Sequence, residues 1–212
     1  GGEVIKACGS SDLQKGGADK FGLRLVETRT CCKDIGAKLL KYERATPLPE
    51  GTDYRDLPEE ETRKLRLAHS SFYIFGGEES YGYSGADFVR DKDANGATVM
   101  FCEVAAYAKG RGLTIDGLLD EIYAELGFFL EKNAAMTFEG AEGAAKIQRL
   151  LATYTENPPP EMSGQPVTGV KNFATTTMHD IEGDEIPKEK MLIFELADKT
   201  RIAVRGSGTE PK

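Results

Sequence analysis

Apolar residues recur along this chain at two periods, and the switches between them predict its elements. Val4-Ile-Lys-Ala-Cys8 is a short apolar run and predicts a strand, with Ser10-Ser11-Asp12 as the turn or helix cap that follows. Asp12 to Lys20 predicts a helix, though Gly16-Gly17 weakens it. Leu23-Arg-Leu-Val-Glu27 alternates as a strand does, and Ile35, Leu39 and Leu40 then fall at helical spacing. Residues 45–57 hold Pro47, Pro49 and Gly51 and predict a surface loop, and Pro58 to Ala68 has a charged helical pattern. Glu59-Glu-Glu61 suits a solvated first helical turn. Ser71-Phe-Tyr-Ile-Phe75 predicts a buried strand that delivers Gly76-Gly-Glu-Glu-Ser-Tyr-Gly82 as a loop at its carboxyl end.

Two helices follow. The first, Ala97 to Ala108, gathers Val99, Met100, Val104, Ala105 and Ala108 on one face, with Phe101 and Cys102 packing beside them. Gly110-Arg-Gly112 ends it, and Thr114 caps a second helix striped by Leu118, Leu119, Ile122 and Leu126. Both stripes read as core. Beyond Phe128 the order becomes a strand near Ala134–Phe138, a helix bearing Ile147, Leu150 and Leu151, and a loop from Pro158 to Gly164. A strand over Val167–Phe173 follows, then a hairpin of Met191–Phe194 and Ile202–Val204. The expected fold class is α/β: a mixed-sheet α/β domain over residues 1–128, then a smaller α+β domain over 129–212, an antiparallel sheet with helices.

Composition narrows the function classes. The 212 residues carry a net charge of −8, which argues against nucleic acid or an anionic membrane as partner. No apolar run approaches the roughly 20 residues that span a bilayer. Gly1-Gly-Glu-Val-Ile-Lys has no signal-peptide pattern, so a cytoplasmic protein is expected. Cys8, Cys31, Cys32 and Cys102 form no Cys-x-x-Cys pair, and only His69 and His179 could join them. That count argues against a structural zinc site, and free thiols in a reducing compartment fit.

Three stretches could carry chemistry. Arg205-Gly-Ser-Gly-Thr-Glu-Pro-Lys212 leaves the last strand with glycines on both sides of Ser207. Inward-curling amides, the Ser207 and Thr209 hydroxyls and the Arg205 fork would suit a phosphate, although an ordinary Gly-Ser turn has the same composition. Glu78 and Ser80 stand two residues apart, able to accept from and donate to adjacent sugar hydroxyls; a polar turn is the plain alternative. Asp91-Lys-Asp-Ala-Asn-Gly96 opens like a calcium-binding loop, but its twelfth position is Cys102 rather than a bidentate Glu. Calcium is rejected, and no metal ligands are assigned. A salt-bridged surface turn is the other reading for Arg90, Asp91 and Asp93.

The motif Arg-x-Ser-Gly-Thr-Glu-Pro-Lys at 205–212, preceded in order by Gly76–Gly82 and Arg90-Asp-Lys-Asp-Ala94, resembles the α-D-phosphohexomutases, the phosphoglucomutase/phosphomannomutase family. The N-terminal stretch resembles that family's third domain, and the C-terminal stretch its TBP-like fourth. The resemblance implies that Arg205, Ser207, Gly208 and Thr209 hold a phosphate and that Glu78 and Ser80 contact the sugar hydroxyls at carbons three and four. It implies that Arg90 and Lys92 face the reacting end, where Lys92 neutralises phosphate charge and assists proton transfer. Lys33, in Thr30-Cys-Cys-Lys33, is a weaker candidate, since Cys31 stands where the family has glycine. The parent reaction so implied interconverts hexose 1-phosphate and hexose 6-phosphate through a phosphoserine and glucose 1,6-bisphosphate, with Mg2+ on an Asp-x-Asp-x-Asp loop. This sequence contains no such triple aspartate, and Ser10 and Ser11 lack the phosphoserine context. The expectation is therefore a C-terminal fragment that binds phosphosugar without turning it over and whose partners are the N-terminal domains of the same protein. The alternative is a non-catalytic phosphosugar-binding module.

Overall fold

The computed structural model describes residues 1–207, and the chain divides into two compact units. The first comprises Gly1–Leu130 with Asp180–Glu182; the second comprises Glu131–His179 and the chain from Gly183 on.

In the first unit, strands β1 (Gly2–Ala7), β2 (Arg24–Thr28), β3 (Phe72–Glu78) and β4 (Gly82–Ser84) form one sheet ordered β2-β1-β3-β4. β1 runs parallel to both neighbours, and β4 returns antiparallel to β3. A strand with parallel partners on both sides is buried on both faces, which is why Val4 and Ile5 can be consecutive. Two charges inside that strand need partners, because a buried unpaired ion is costly. Lys6 is fully buried and reaches Asp12 at 2.9 Å, Glu27 at 3.1 Å and the Ser10 carbonyl at 3.1 Å. Glu3 meets Arg24 and the Ser71 hydroxyl.

Helices α1 (Leu13–Lys20), α2 (Cys32–Arg44) and α3 (Glu59–His69) connect these strands. α2 presents Cys32, Ile35, Leu39 and Tyr42 along one face, and these close the core with Ile5, Val26 and Tyr73. Residues 45–57 form the expected loop, mostly exposed, with Thr46 and Tyr54 buried in it. A short 3-10 turn, Tyr54–Asp56, buries Tyr54, whose hydroxyl accepts from Arg66 at 2.8 Å. Arg66 is itself fully buried and also binds Asp87 at 3.0 Å. A charged residue in a helix pattern reads as solvent-facing; here its guanidinium is the anchor of the loop.

The largest correction concerns α4 (Ala94–Gly110) and α5 (Ile115–Leu126). Their capping follows expectation, since the Thr114 hydroxyl accepts from Gly117 N at 3.0 Å and Asp93 accepts from Gly96 N at 2.9 Å. Their stripes are not core within this unit. Only Ala108 of α4 is buried, Val99 and Phe101 are 63% and 59% exposed, Cys102 is exposed, and α5 buries no residue fully. Periodicity marks the apolar face but carries no information about what covers it.

The second unit holds α6 (Gly140–Glu156) and an antiparallel sheet ordered β10-β9-β6-β5. Its strands are β5 (Glu161–Met162), β6 (Gln165–Asn172), β9 (Met191–Leu196) and β10 (Arg201–Arg205), with β7 (Met178–His179) and β8 (Glu185–Ile186) as a separate small hairpin. Leu192, Phe194 and Leu196 form its core, joined by Tyr154, Val167, Ile202 and Val204. The strand expected near Ala134–Phe138 does not form. That segment has no ladder partner among the described residues; residues 134–137 are exposed, and Phe138 packs on α6 with its ring centroid 4.4 Å from Lys146 Nζ.

Candidate functional site

The carboxyl edge of a parallel sheet collects the turns that leave its strands, and ligands gather there in open α/β folds. Here the turns after β1, β2 and β3 converge. A Cβ on Gly9 would lie 3.6 Å from Glu79 Oε2 and 4.0 Å from Thr30 Oγ1, so residues from all three turns meet at one point.

The expected glycine loop is in fact a tight hairpin. β3 continues through Gly76, Gly77 and Glu78, the turn is Glu79-Ser80-Tyr81, and β4 begins at Gly82. Tyr81 adopts φ 63° and is 83% exposed. Glu78, the last residue of β3, is buried, while Ser80 in the turn stands exposed at the tip, 3.4 Å from Glu79 Oε1.

Glu78 is the centre of the arrangement. Its side chain is 4% exposed and its Oε1 lies 2.6 Å from Lys92 Nζ, which is 50% exposed. Hydrogen bonding to Glu78 raises the Lys92 pKa, so the ammonium is firmly protonated. The Cys32 thiol lies nearby. Burial first, and then the Glu78 charge, pushes it up to about 11, so it stays protonated and contributes no negative charge. Gly82 makes this packing achievable: a Cβ there would lie 2.7 Å from Glu78 Oε1 and 2.8 Å from Cys32 Sγ.

Arg90 is engaged elsewhere. Its guanidinium pairs with Glu43 of α2, and its Nε donates to the Asp87 carbonyl at 2.7 Å. Gly36 of α2 lets this loop approach, since a Cβ there would lie 2.5 Å from the Arg90 carbonyl oxygen. Arg90 thereby holds the 85–92 segment that presents Lys92. Lys33 is exposed in the first turn of α2.

In the second unit, Arg205 ends β10 with Nη1 3.8 Å from Glu189 Oε1, and Ser207 is half-buried. Gly206 rests on α6, where a Cβ would lie 3.4 Å from Leu151 and 3.5 Å from Ile147. The remaining assignments in this loop, Gly208 and Thr209, lie outside the described residues. His179 is exposed on β7.

Asp93 caps α4 and Asp91 accepts from Lys92 N at 2.7 Å, while Asp180 and Glu182 both pair with Lys38. No helix among the described residues is long and apolar enough to cross a membrane. Sequence reasoning reached Glu78, Ser80 and Lys92 but not the part played by Cys32, because its neighbours are brought in by strands far along the chain.

An open-edged α/β unit with a buried acid–lysine pair at its strand ends is followed by a small α+β unit. Comparison with known proteins gives the family. The family model described as phosphoglucomutase/phosphomannomutase, alpha/beta/alpha domain III, matches residues 60–126. Phosphoglucomutase of Staphylococcus epidermidis is 37% identical over 151 residues, covering 69% of this chain and 28% of that protein. Phosphoglucomutase of Staphylococcus aureus is 35% identical over 144 residues, covering 66% of this chain and 26% of that protein. Among solved structures, the open form of pp63/parafusin, an exocytosis-sensitive phosphoprotein and phosphoglucomutase from Paramecium, superposes with a TM-score of 0.53 at 18% identity. It covers 98% of this chain and 30% of that one, and supports the fold. The chain belongs to the phosphohexomutase family and corresponds to its C-terminal portion. It spans little more than a quarter of the length of the phosphoglucomutases it matches.

Proposed function

We propose that this chain supplies the sugar-holding and phosphate-holding loops of a phosphoglucomutase/phosphomannomutase. The observation that carries the reading is Glu78: a buried carboxylate at the strand ends, 2.6 Å from a half-exposed lysine. A carboxylate so placed accepts hydrogen bonds from vicinal sugar hydroxyls, with Ser80 at the hairpin tip as the second contact. Lys92 lies at the reacting end, where its ammonium offsets phosphate charge, and Arg90 fixes the loop that carries it. Arg205, Ser207, Gly208 and Thr209 grip the phosphate that does not react.

In this proposal the parent reaction moves a phosphoryl group between carbons one and six of a hexose, with glucose 1,6-bisphosphate as intermediate. Such transfer depends on positioning and charge neutralisation, which are what these side chains offer. The Mg2+ and phosphoserine of that scheme have no matching residues here, so no step is assigned to them. The partners are the hexose phosphate and the N-terminal domains of the same protein, in the cytoplasm. The chain alone is expected to bind and not to turn over.

Calorimetric titration of the 212-residue chain with glucose 1,6-bisphosphate tests this, alongside Glu78→Ala and Arg205→Ala. Binding by the wild type that is lost in both variants supports the reading. Binding indifferent to both variants refutes the site, and mutase turnover by the chain alone refutes its passive role.

A further inference from the structure

Two groups assigned above to different parts of the ligand are, in this structure, bound to each other. Glu78 is the more confined partner, because Gly82 and Cys32 close on it and its side chain is 4% exposed. Lys92 can turn aside, since its side chain is 50% exposed and rides on a flexible four-carbon stem. Any anion that draws Lys92 away therefore leaves a buried carboxylate without its cation, which is the costly way to break such a pair. A neutral hexose faces the converse difficulty, because its hydroxyls must compete for Glu78 with a charge-assisted contact. Asp91 is also near Lys92 and accepts from Lys92's own amide. The Cys32 thiol is neutral and cannot replace either partner.

We propose that the Glu78–Lys92 ion pair makes this site selective for ligands that carry sugar hydroxyls and phosphate in one molecule, and that it rejects inorganic phosphate and free hexose. The inference rests on the functional reading above. A phosphosugar exchanges both halves of the pair at once: hydroxyls donate to Glu78 as the phosphate takes the ammonium. Neither charge is left alone. The pair thus acts as an internal competitor that only the joined ligand displaces without loss.

The test is titration of inorganic phosphate and of glucose 1,6-bisphosphate into the 212-residue chain and its Glu78→Gln variant. Glutamine keeps the shape and removes the charge that occupies Lys92. Inorganic phosphate is expected to bind the variant roughly three- to tenfold more tightly than wild type, the scale of a part-exposed ion pair. Glucose 1,6-bisphosphate is expected to bind it more weakly. Adding Lys92→Met must abolish the gain, which assigns it to Lys92 rather than to the loop at Arg205. A second measurement needs no variant at Glu78: the Lys92 Cε resonance should move with glucose 1,6-bisphosphate and stay in place with inorganic phosphate at equal concentration. Phosphate binding that is unchanged or weaker in Glu78→Gln, or an equal resonance shift with both ligands, overturns the inference. If wild type binds the bisphosphate but Glu78→Gln gains nothing for phosphate, this selectivity alone falls. If wild type does not bind the bisphosphate, the functional reading falls and this inference with it.

Discussion

Gly82→Ala puts the geometry of the hairpin to a direct test. A Cβ built on Gly82 would stand 2.7 Å from Glu78 Oε1, 2.8 Å from Glu78 Cγ and 2.8 Å from Cys32 Sγ. Carbon contacts relax near about 3.5–4.0 Å, so roughly 1 Å of space must be found. Cys32 cannot supply it, being 3% exposed on α2 and enclosed by the core. Backbone strain does not enter, because Gly82 is not among the glycines with positive φ. Glu78 has to swing out, and its 2.6 Å contact with Lys92 breaks. Overpacking of this kind costs about 1–3 kcal/mol. In urea, that lowers the unfolding midpoint by roughly 1 M, read by circular dichroism. The control is Gly77→Ala, whose Cβ would meet nothing closer than 3.4 Å and which is expected to be neutral within about 1 kcal/mol. The phosphosugar titration should fail in Gly82→Ala and persist in Gly77→Ala. A Gly82→Ala protein with an unchanged midpoint and unchanged binding would refute the close packing of Glu78, Gly82 and Cys32.

Arg66→Met should destabilise the first unit by about 2–3 kcal/mol, because Tyr54, the Ser71 carbonyl and Asp87 all lose their donor; urea unfolding reads it, and a loss below about 0.5 kcal/mol would show that the anchor is dispensable. Cys32, with its pKa raised to about 11 by burial, should alkylate far more slowly at pH 8 than exposed Cys102, as followed by mass spectrometry. Equal rates would contradict the burial. Burial alone would raise the Glu182 pKa, but hydrogen bonds from Lys38 and Tyr42 outweigh it and the net shift is downward. A depressed carboxylate adds stability that is present above its unfolded pKa and disappears as pH falls through the folded one. Glu182→Gln should therefore flatten the acid limb of the unfolding midpoint below about pH 5, and an unaltered acid limb would count against these contacts.

Most of the elements were legible in the sequence because they rest on local rules. The apolar run at Val4–Cys8, the helical spacing of Ile35 and Leu39 and the Thr114 cap each follow from residues within a turn or two of one another. The expected strand near Ala134–Phe138 failed for the complementary reason. A strand exists only where another supplies its ladder, and no local pattern reveals whether one does. Tyr54 and Arg66, buried and bonded to each other from separate elements, are a pairing that no local pattern reveals either.

The site divides along the same line. The motif around Gly77-Glu-Glu-Ser80 marked Glu78 and Ser80 as candidates, and the basic stretch after it marked Arg90 and Lys92. Only the folded chain decided that Glu78 is buried against Lys92 and flanked by Cys32, that Arg90 turns to Glu43, and that α4 and α5 leave apolar residues open within their unit. The sequence by itself determined the periods, the caps, the turn residues and the family, all of which depend on neighbouring residues. The tertiary structure decided which charge meets which and which face is covered, because those contacts join residues that the chain holds far apart and only packing brings together.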